Sequence, residues 1–210
     1  MLTHRSFQTT KWLRRFFATC GTLALQGGPS DWVGDHRLHH VASDTEADPH
    51  DAKRGFWHSH MGWIFFRYPE KVKSSVRRLC RDIQVDPYLR FLDSAFAQIG
   101  LQVAVGLVLL AFFGWGGVLC GVFLRLVILY HATWCVNSLC HLKGYTSFKT
   151  KTLAKNNWFV AIFAWGEGWH NNHHADEHRV RAGLSWWEFD ASYIVIRSLS
   201  FLGLTWGLKR

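Results

Sequence analysis

The longest apolar region of the chain runs from Ser94 to Leu124 without a charged residue. Its 31 residues exceed the roughly 20 that one helix needs to cross the hydrocarbon core of a bilayer, yet they are short for two crossings. The run Gly114-Trp115-Gly116-Gly117 is a natural helix break. The pattern predicts one helix at about 94–113 and a second at about 118–137, which carries only Arg125. We therefore expect a transmembrane hairpin, although a long buried helix pair of a soluble protein shows the same pattern.

Shorter apolar segments lie on both sides of the predicted hairpin. Residues 11–26 are first basic and then apolar, as in a secretion signal, but no convincing small-residue cleavage site follows them. They predict a helix that lies on a membrane surface. Residues 184–209 form a final apolar and aromatic segment, which we expect to pack as a cap or to lie at the interface. Without an internal repeat or a linker, the chain is predicted to be a single domain over residues 1–210.

Composition and charge also favour a membrane. Hydrophobic residues make up 49% of the chain, 12 residues are Trp, and the formal net charge is +9. The basic residues flank the apolar region and no base-reading motif is present, so we expect contact with anionic lipid and none with nucleic acid. The flanking residues are Arg67, Lys71, Lys73, Arg77, Arg78, Arg81 and Arg90 before the hairpin, and Lys143, Lys149, Lys151 and Lys155 after it. The positive-inside rule places these flanks in the cytosol or its organellar equivalent.

Two histidine clusters of the same form, H-x-x-H-H, bracket the apolar region at residues 36–40 and 170–174. On a helix, positions i, i+3 and i+4 share one face, so each cluster can direct three imidazoles into one space. Both ends of a hairpin emerge on one side of the membrane, so the clusters can share a site for two metal ions. Imidazole suits iron, zinc, copper and nickel, of which iron and zinc are the leading candidates. The alternative is an accidental spacing or a solvated helix face, which two copies of the motif make less plausible.

Acidic residues follow the first cluster closely. Asp44, Glu46 and Asp48 are candidate acceptors for imidazole N–H groups, although simple solvation is the commoner explanation for any one of them. His4 and His141 stand apart from both clusters.

Five ordered blocks carry a resemblance to a known family. They are Thr3-His4-Arg5-Ser6-Phe7, residues 31–40, Asp48-Pro49-His50, residues 55–63, and residues 166–174 with the sequence Gly-Glu-Gly-Trp-His-Asn-Asn-His-His. In this order they resemble the membrane fatty acid desaturases. The bacterial and plastid acyl-lipid Δ9 group is the nearest branch, and the animal stearoyl-CoA desaturases are more distant relatives.

The resemblance implies an all-α integral membrane fold, in which a transmembrane hairpin bears a cytosolic helical cap with a histidine-rich di-metal site. It implies two iron ions (Fe2+), which use O2 and two electrons to place a cis double bond in a saturated acyl chain. The iron ligands it implies are His4, His36, His39, His40, His141, His170, His173 and His174, with Asn137 acting through water and no catalytic residue beyond these ligands. Asn137 and His141 are i and i+4 near the aqueous end of the second predicted helix, which agrees with that assignment.

The resemblance also assigns the substrate tunnel and the partners. Residues matching the bend of the family's acyl tunnel are Gln26, Trp32, Thr133 and Trp134, each of which would otherwise be core packing. The chain has no G-x-G-x-x-G loop, and its five scattered cysteines form no C-x-x-C pair, so a separate protein must supply electrons. The family's donors are ferredoxin and cytochrome b5. The expected location is a bacterial inner, plastid or endoplasmic reticulum membrane, with the metal site on the cytosolic or stromal side.

Two departures from the family qualify these expectations. The family's first histidine box is H-x-x-x-x-H, and its first histidine would fall two residues before Met1. We therefore expect an N-terminally truncated desaturase domain, lacking one ligand and the first membrane hairpin, that binds fewer than two irons. Acyl-CoA enzymes have a basic residue where this chain has Gly34, which favours a glycerolipid-bound acyl group over acyl-CoA. The alternatives are a related di-iron hydroxylase and an inactive metal-binding membrane protein; the 167–174 block favours desaturation.

Overall fold

The computed structural model describes residues 1–66 and 69–210, and it is mainly helical. Arg67, which belongs to the predicted basic flank, lies outside the described residues. The described helices are α1 (Lys11–Thr22), α2 (Pro29–Ala42), α3 (Phe56–His60), α4 (Glu70–Leu79), α5 (Arg81–Gln84), α6 (Pro87–Leu92), α7 (Ala95–Val118), α8 (Arg125–Leu142), α9 (Trp158–Phe163), α10 (His170–Ala175) and α11 (Ala191–Phe201). Short 3-10 helices span Ala52–Arg54 and Gly62–Phe65, and a π-helical turn, Leu119–Leu124, joins α7 to α8.

The predicted all-α fold missed a pair of short antiparallel strands. Strand β1 (Gln8–Thr9) pairs with β2 (Thr205–Trp206) and so joins the two ends of the chain. Two-residue strands have no period-2 pattern that sequence reasoning can detect, and their pairing is decided by tertiary contacts.

The segment Ala95–Leu142 is long and apolar enough to cross a membrane, and only 11% of its most apolar window is buried. A core helix of a soluble protein would be mostly buried. Gly114 interrupts the helix with a backbone conformation (φ 63°, ψ −163°) that favours glycine. Residues on the two sides of Gly114 are in contact. The Leu109 side chain packs against Gly121, where an added Cβ would lie 2.5 Å from Leu109 Cδ1. The helix is therefore sharply kinked at Gly114.

A partly buried polar cluster ties these helices to the end of α1. Arg125 Nη2 donates to Gln102 Oε1 at 2.9 Å, and both side chains donate to the carbonyl oxygen of Leu23, at 3.0 and 2.8 Å. Arg125 Nε also donates to the carbonyl oxygen of Gly121 at 2.8 Å, so protein oxygens hydrogen-bond the guanidinium in this apolar segment.

The helix bounds differ from the predicted ones in two respects. The break is at Gly114 alone, and the following tryptophan and glycines are helical. Helix α8 continues past residue 137 to Leu142, because Ser138 and His141 are buried against neighbouring elements and do not lie in water.

Helices α1, α4, α5 and α6 pack against α2. The small apolar core of this region includes Val33, Ile83, Leu89 and Leu92. Gly34 lies against α4, where an added Cβ would come within 2.6 Å of Val76 Cγ1. Close helix packing thus explains this glycine without reference to the acyl carrier. Gly34 therefore no longer supports a preference for a glycerolipid-bound acyl group over acyl-CoA.

Candidate metal centre

The eight histidines singled out in the sequence come together as two groups of four. Group one is His4, His36, His40 and His173, and group two is His39, His141, His170 and His174. Within each group, one ligand atom from every residue lies within 4.8 Å of the others.

Each H-x-x-H-H cluster gives two histidines to one group and one histidine to the other, and the two clusters do so in reverse. The first, on α2, gives its i and i+4 histidines to group one and its i+3 histidine, His39, to group two. The second, on α10, gives its i and i+4 histidines to group two and its i+3 histidine, His173, to group one. Each helix therefore bridges both groups.

The Nε2 atoms of each group converge. In group one, the Nε2–Nε2 separations are 2.8 Å for His4–His36, 3.1 Å for His36–His40 and 3.0 Å for His40–His173. In group two, the corresponding Nε2 separations are 3.2 Å for His39–His174 and 3.1 Å for both His174–His170 and His170–His141. Metal–nitrogen bonds of about 2.1 Å place neighbouring ligand nitrogens about 3 Å apart when they lie at right angles. The donor set and its spacing thus fit one metal ion per group.

Carboxylates on the far side of three imidazoles fix which nitrogen faces inward. His39 Nδ1 donates to Asp48 at 3.0 Å, and His141 Nδ1 donates to Asp44 at 3.0 Å. An imidazole that donates through Nδ1 presents a lone pair at Nε2, which is the metal-binding form. Converging lone pairs repel one another unless a cation lies between them, so this arrangement favours metal ions over a purely hydrogen-bonded cluster.

The third such carboxylate, Glu177, was missed by sequence reasoning. It lies 2.9 Å from Nδ1 of His40, and the hydrogen bond from His40 lowers the pKa of Glu177 to about 2. Its position three residues after His174 was the only sequence signal. Of the three acids proposed from the sequence, Asp44 and Asp48 are buried beside histidines, whereas Glu46 is exposed.

Burial holds five of the imidazoles in their neutral form. It lowers the pKa well below the ordinary value for His36, His39, His170, His173 and His174, with further lowering by neighbouring histidines. Burial also raises the pKa of Asp48 to about 7, whereas the hydrogen bond from His141 helps to outweigh burial and lowers the pKa of Asp44. Of these two acids, Asp48 therefore needs a nearby positive charge more than Asp44 does if it is to be ionised at neutral pH.

Two asparagines between the histidines of the second cluster fix α10. Asn171 is fully buried; its Oδ1 accepts from the backbone N–H groups of Ser147 and Phe148, and its Nδ2 donates to the carbonyls of Phe148 and Ala154. Asn172 donates to Glu188 and to a backbone carbonyl and accepts from Asn156. These bonds hold the helix against the 147–156 loop and so orient its histidines.

Arg37 helps to position a histidine of group one. Its guanidinium donates to the carbonyls of Leu2 and Thr3, at 2.7 and 2.9 Å, and to Asp82 at 2.6 Å. It lies next to His36 on α2, and the backbone it holds leads directly into His4. One side chain therefore places the N-terminal segment beside the first cluster.

A cavity of about 1360 Å³ adjoins the histidines. The four tunnel residues predicted from the resemblance, Gln26, Trp32, Thr133 and Trp134, all line it, as does Asn137. Gln26 Nε2 donates to Thr133 Oγ1 at 3.3 Å. The Trp32 ring stacks on His36 with centroids 6.4 Å apart. These residues thus share one space with five of the eight histidines.

Two further histidines near the cavity were not anticipated. His50 lines the cavity and packs on His39 with ring centroids 4.3 Å apart. His60 Nδ1 pairs with Ser138 Oγ at 2.9 Å, and its Nε2 lies 3.0 Å from His131 Nδ1. Both lie in sequence blocks that carried the resemblance, but the partners of His60 are distant in sequence.

Comparison with known proteins agrees with this geometry. The model of the fatty acid desaturase family matches residues 1–200. The chain is 49% identical over 209 residues to the sn-1 stearoyl-lipid 9-desaturase of Anabaena variabilis, covering 100% of this chain and 75% of that protein. It is 48% identical over 208 residues to the sn-1 stearoyl-lipid 9-desaturase of Synechocystis sp., covering 99% of this chain and 64% of that protein. A third relative is the chloroplastic palmitoyl-monogalactosyldiacylglycerol delta-7 desaturase of Arabidopsis thaliana, at 42% identity over 99% of this chain and 56% of that protein. With eight converging histidines, a family model that covers most of its length and relatives close to half identical, this chain belongs to the fatty acid desaturase family.

Proposed function

We propose that this chain is an O2-dependent acyl-lipid desaturase that introduces a cis double bond at the Δ9 position of a saturated acyl chain. The observation that carries the proposal is the pair of four-imidazole groups beside a long, largely apolar cavity. Two relatives named as stearoyl-lipid 9-desaturases favour this position and a lipid-bound substrate, while other relatives are named as acyl-CoA desaturases. The Ser138–His60 pair does not suggest hydrolysis instead, because neither residue is among the described lining of the cavity and Ser138 is fully buried.

Iron is the metal we propose for both groups. All eight histidines would be ligands, and Asn137, one helical turn before His141, would act through a water molecule. Bound iron would supply the activation of O2 that an unactivated C–H bond requires. The chain's own part is to keep each Nε2 unprotonated and aimed inward. For His39, His40 and His141 the carboxylates on Nδ1 accomplish this.

The cavity is proposed to hold the acyl chain along α8. Its lining on that side runs from Cys120 to Asn137, about 25 Å at 1.5 Å per residue, which suits a chain of about 18 carbons. Apolar walls bind such a substrate by burying it, at about 0.8 kcal/mol for each methylene. Trp32 and the Gln26–Thr133 pair would set the bend that brings the reacting methylenes beside the histidines.

The membrane setting is proposed from the exposed apolar surface of α7 and α8. These helices would form a transmembrane hairpin with the other helices as a cap on one side, in a bacterial inner, plastid or endoplasmic reticulum membrane. The basic residues that flank the hairpin favour the cytosolic or stromal side for the cap. Electrons would come from an external donor of the ferredoxin or cytochrome b5 class.

The test is expression in a host that lacks unsaturated fatty acids, followed by gas chromatography of total lipid. We expect new Δ9 monounsaturated acyl chains, and none from a matched His39→Gln variant. Hydroxy fatty acids would instead identify a hydroxylase. An unchanged profile, with the protein present in the membrane, would favour an inactive metal-binding protein.

A further inference from the structure

The metal centre has a second opening that the acyl cavity does not explain. His40 and His174 are absent from the described lining of the acyl cavity. Both line a separate recess of about 600 Å³, whose walls are the 148–152 loop and residues 175–178. We call it the lysine recess, after Lys149 and Lys151 in its wall.

The two histidines in this recess connect both metal groups. His40 belongs to group one and His174 to group two, and their rings stack with centroids 4.4 Å apart and an interplanar angle of 21°. Each has its Nε2 inside its own group, 3.1 Å from another histidine Nε2. A redox carrier seated in the recess would therefore be one imidazole away from either metal position.

Electron balance requires such an entry point if the proposed function is correct, and this inference rests on that function. Conversion of –CH2–CH2– to –CH=CH– releases two electrons and two protons. Reduction of O2 to two water molecules takes four of each, so two electrons and two protons must come from elsewhere. A reduced one-electron carrier protein, used twice, supplies these electrons, and solvent supplies the protons.

The charges of the recess select the kind of carrier. Lys149 and Lys151 are exposed, and neither forms an ion pair with any residue in the described ranges 1–66 and 69–210. Two acids also line the recess: Glu177 lies 2.9 Å from His40 Nδ1, and Asp176 lies 3.4 Å from Arg179 Nε. Lys149, Lys151 and Arg179 outnumber these two carboxylates, so the net formal charge around the recess is positive.

An apolar side chain completes the surface. Phe148, next to Lys149, is 42% exposed and also lines the recess. A small apolar contact surrounded by charge is typical of transient electron-transfer interfaces, in which charge complementarity mainly raises the association rate.

We propose that the lysine recess is the docking surface for an acidic one-electron carrier protein, which delivers electrons through the stacked rings of His40 and His174. The membrane is not the occupant we expect, because the recess opens beside the metal ligands and not along α7.

The test compares two double variants of the full chain with the same change in charge. Lys149→Glu/Lys151→Glu alters the recess, and Lys11→Glu/Lys53→Glu alters two exposed lysines elsewhere. The probe is an acidic plant-type [2Fe–2S] ferredoxin. We expect the recess variant to bind it at least tenfold more weakly at low salt, and to show a tenfold higher KM for ferredoxin with kcat within twofold. The control variant should match the unaltered chain within twofold.

Three outcomes would overturn the proposal. Ferredoxin binding could be weakened equally in both variants, or it could be unchanged in the recess variant. The recess variant could also lose binding to phosphatidylglycerol vesicles while it retains ferredoxin binding. Binding is measured by sedimentation in detergent with the metal-free chain as well as the iron-loaded chain. Turnover driven by dithionite, without ferredoxin, tests the desaturase function separately and should be the same in all variants. If the unaltered chain fails to bind ferredoxin while its dithionite-driven desaturation succeeds, the docking surface alone is refuted.

Discussion

Asp44 Oδ1 lies 3.0 Å from Nδ1 of His141, a histidine 97 residues further along the chain. Both groups are buried, and Asp44 Oδ2 also accepts the backbone N–H of Leu153 at 2.7 Å. An acid that follows the first histidine cluster therefore orients a group-two histidine at the end of α8.

Asp44→Asn should weaken metal binding at group two by about 10- to 100-fold, because the amide keeps the shape of the side chain but loses the charge that fixes the His141 tautomer. Anaerobic Fe2+ titration of the detergent-solubilised protein measures this affinity. Glu46→Gln removes a charge from an exposed acid nearby and should change affinity by less than twofold. Equal weakening at both groups would contradict a specific role for Asp44.

Arg37→Lys should release His4 from group one while leaving group two intact. Lysine keeps the charge but cannot bond two carbonyls and Asp82 together, since it lacks the planar guanidinium fork. We expect group-one affinity to fall at least tenfold and group-two affinity to change less than threefold in the same titration. Arg90→Lys, at an exposed position, is the matched control. Normal binding at group one would show that other contacts hold the N-terminal segment.

Limiting iron should fill group two before group one. Group two has three fully buried histidines and two buried carboxylates behind it, whereas all four histidines of group one are partly exposed and one comes from the N-terminal segment. We expect purified protein to retain fewer than two irons, with His4→Ala lowering the content less than His170→Ala does. Iron analysis by plasma mass spectrometry decides this, and a stable content of two with turnover would refute it.

Asn171→Ala should destabilise the fold by about 2 to 4 kcal/mol, because it leaves the buried backbone groups of the 147–154 loop without partners. The melting temperature of the metal-free protein in detergent measures the effect without contribution from bound iron. Gln84→Ala removes an amide with a single weak contact, to Cys80 Sγ at 3.4 Å, and should lower the melting temperature far less. Similar decreases in melting temperature in both variants would show that the Asn171 hydrogen bonds do not stabilise the fold more than the Gln84 contact does.

Asp82 should make stability depend on pH in the acid range. Burial raises the pKa of Asp82, but hydrogen bonds from Arg37 and Arg5 outweigh this and lower it to about 2. A depressed carboxyl pKa stabilises the fold above the unfolded value of about 3.9, and this contribution is lost as pH falls towards 2. Asp82→Asn should therefore lower the melting temperature of metal-free protein at pH 7 and converge with the unaltered chain near pH 2. A constant difference across this range would exclude the linkage.

The sequence by itself determined which histidines are candidate metal ligands. Cluster spacing identified six histidines, because i, i+3 and i+4 always share a helix face, and the family resemblance added His4 and His141. The uncharged run and Gly114 located the two apolar helices and the break between them, since length, hydrophobicity and glycine act locally.

Only the tertiary structure decided how those histidines divide between two groups. The direction of each ring depends on how α2 and α10 face one another, and no spacing within either cluster encodes that. The same holds for the bonds from Arg37 to the N-terminal segment, for Glu177 beside His40, and for the pairing of β1 with β2. Each joins groups that meet only when distant segments pack, so their partners follow from the packed fold and not from a local pattern.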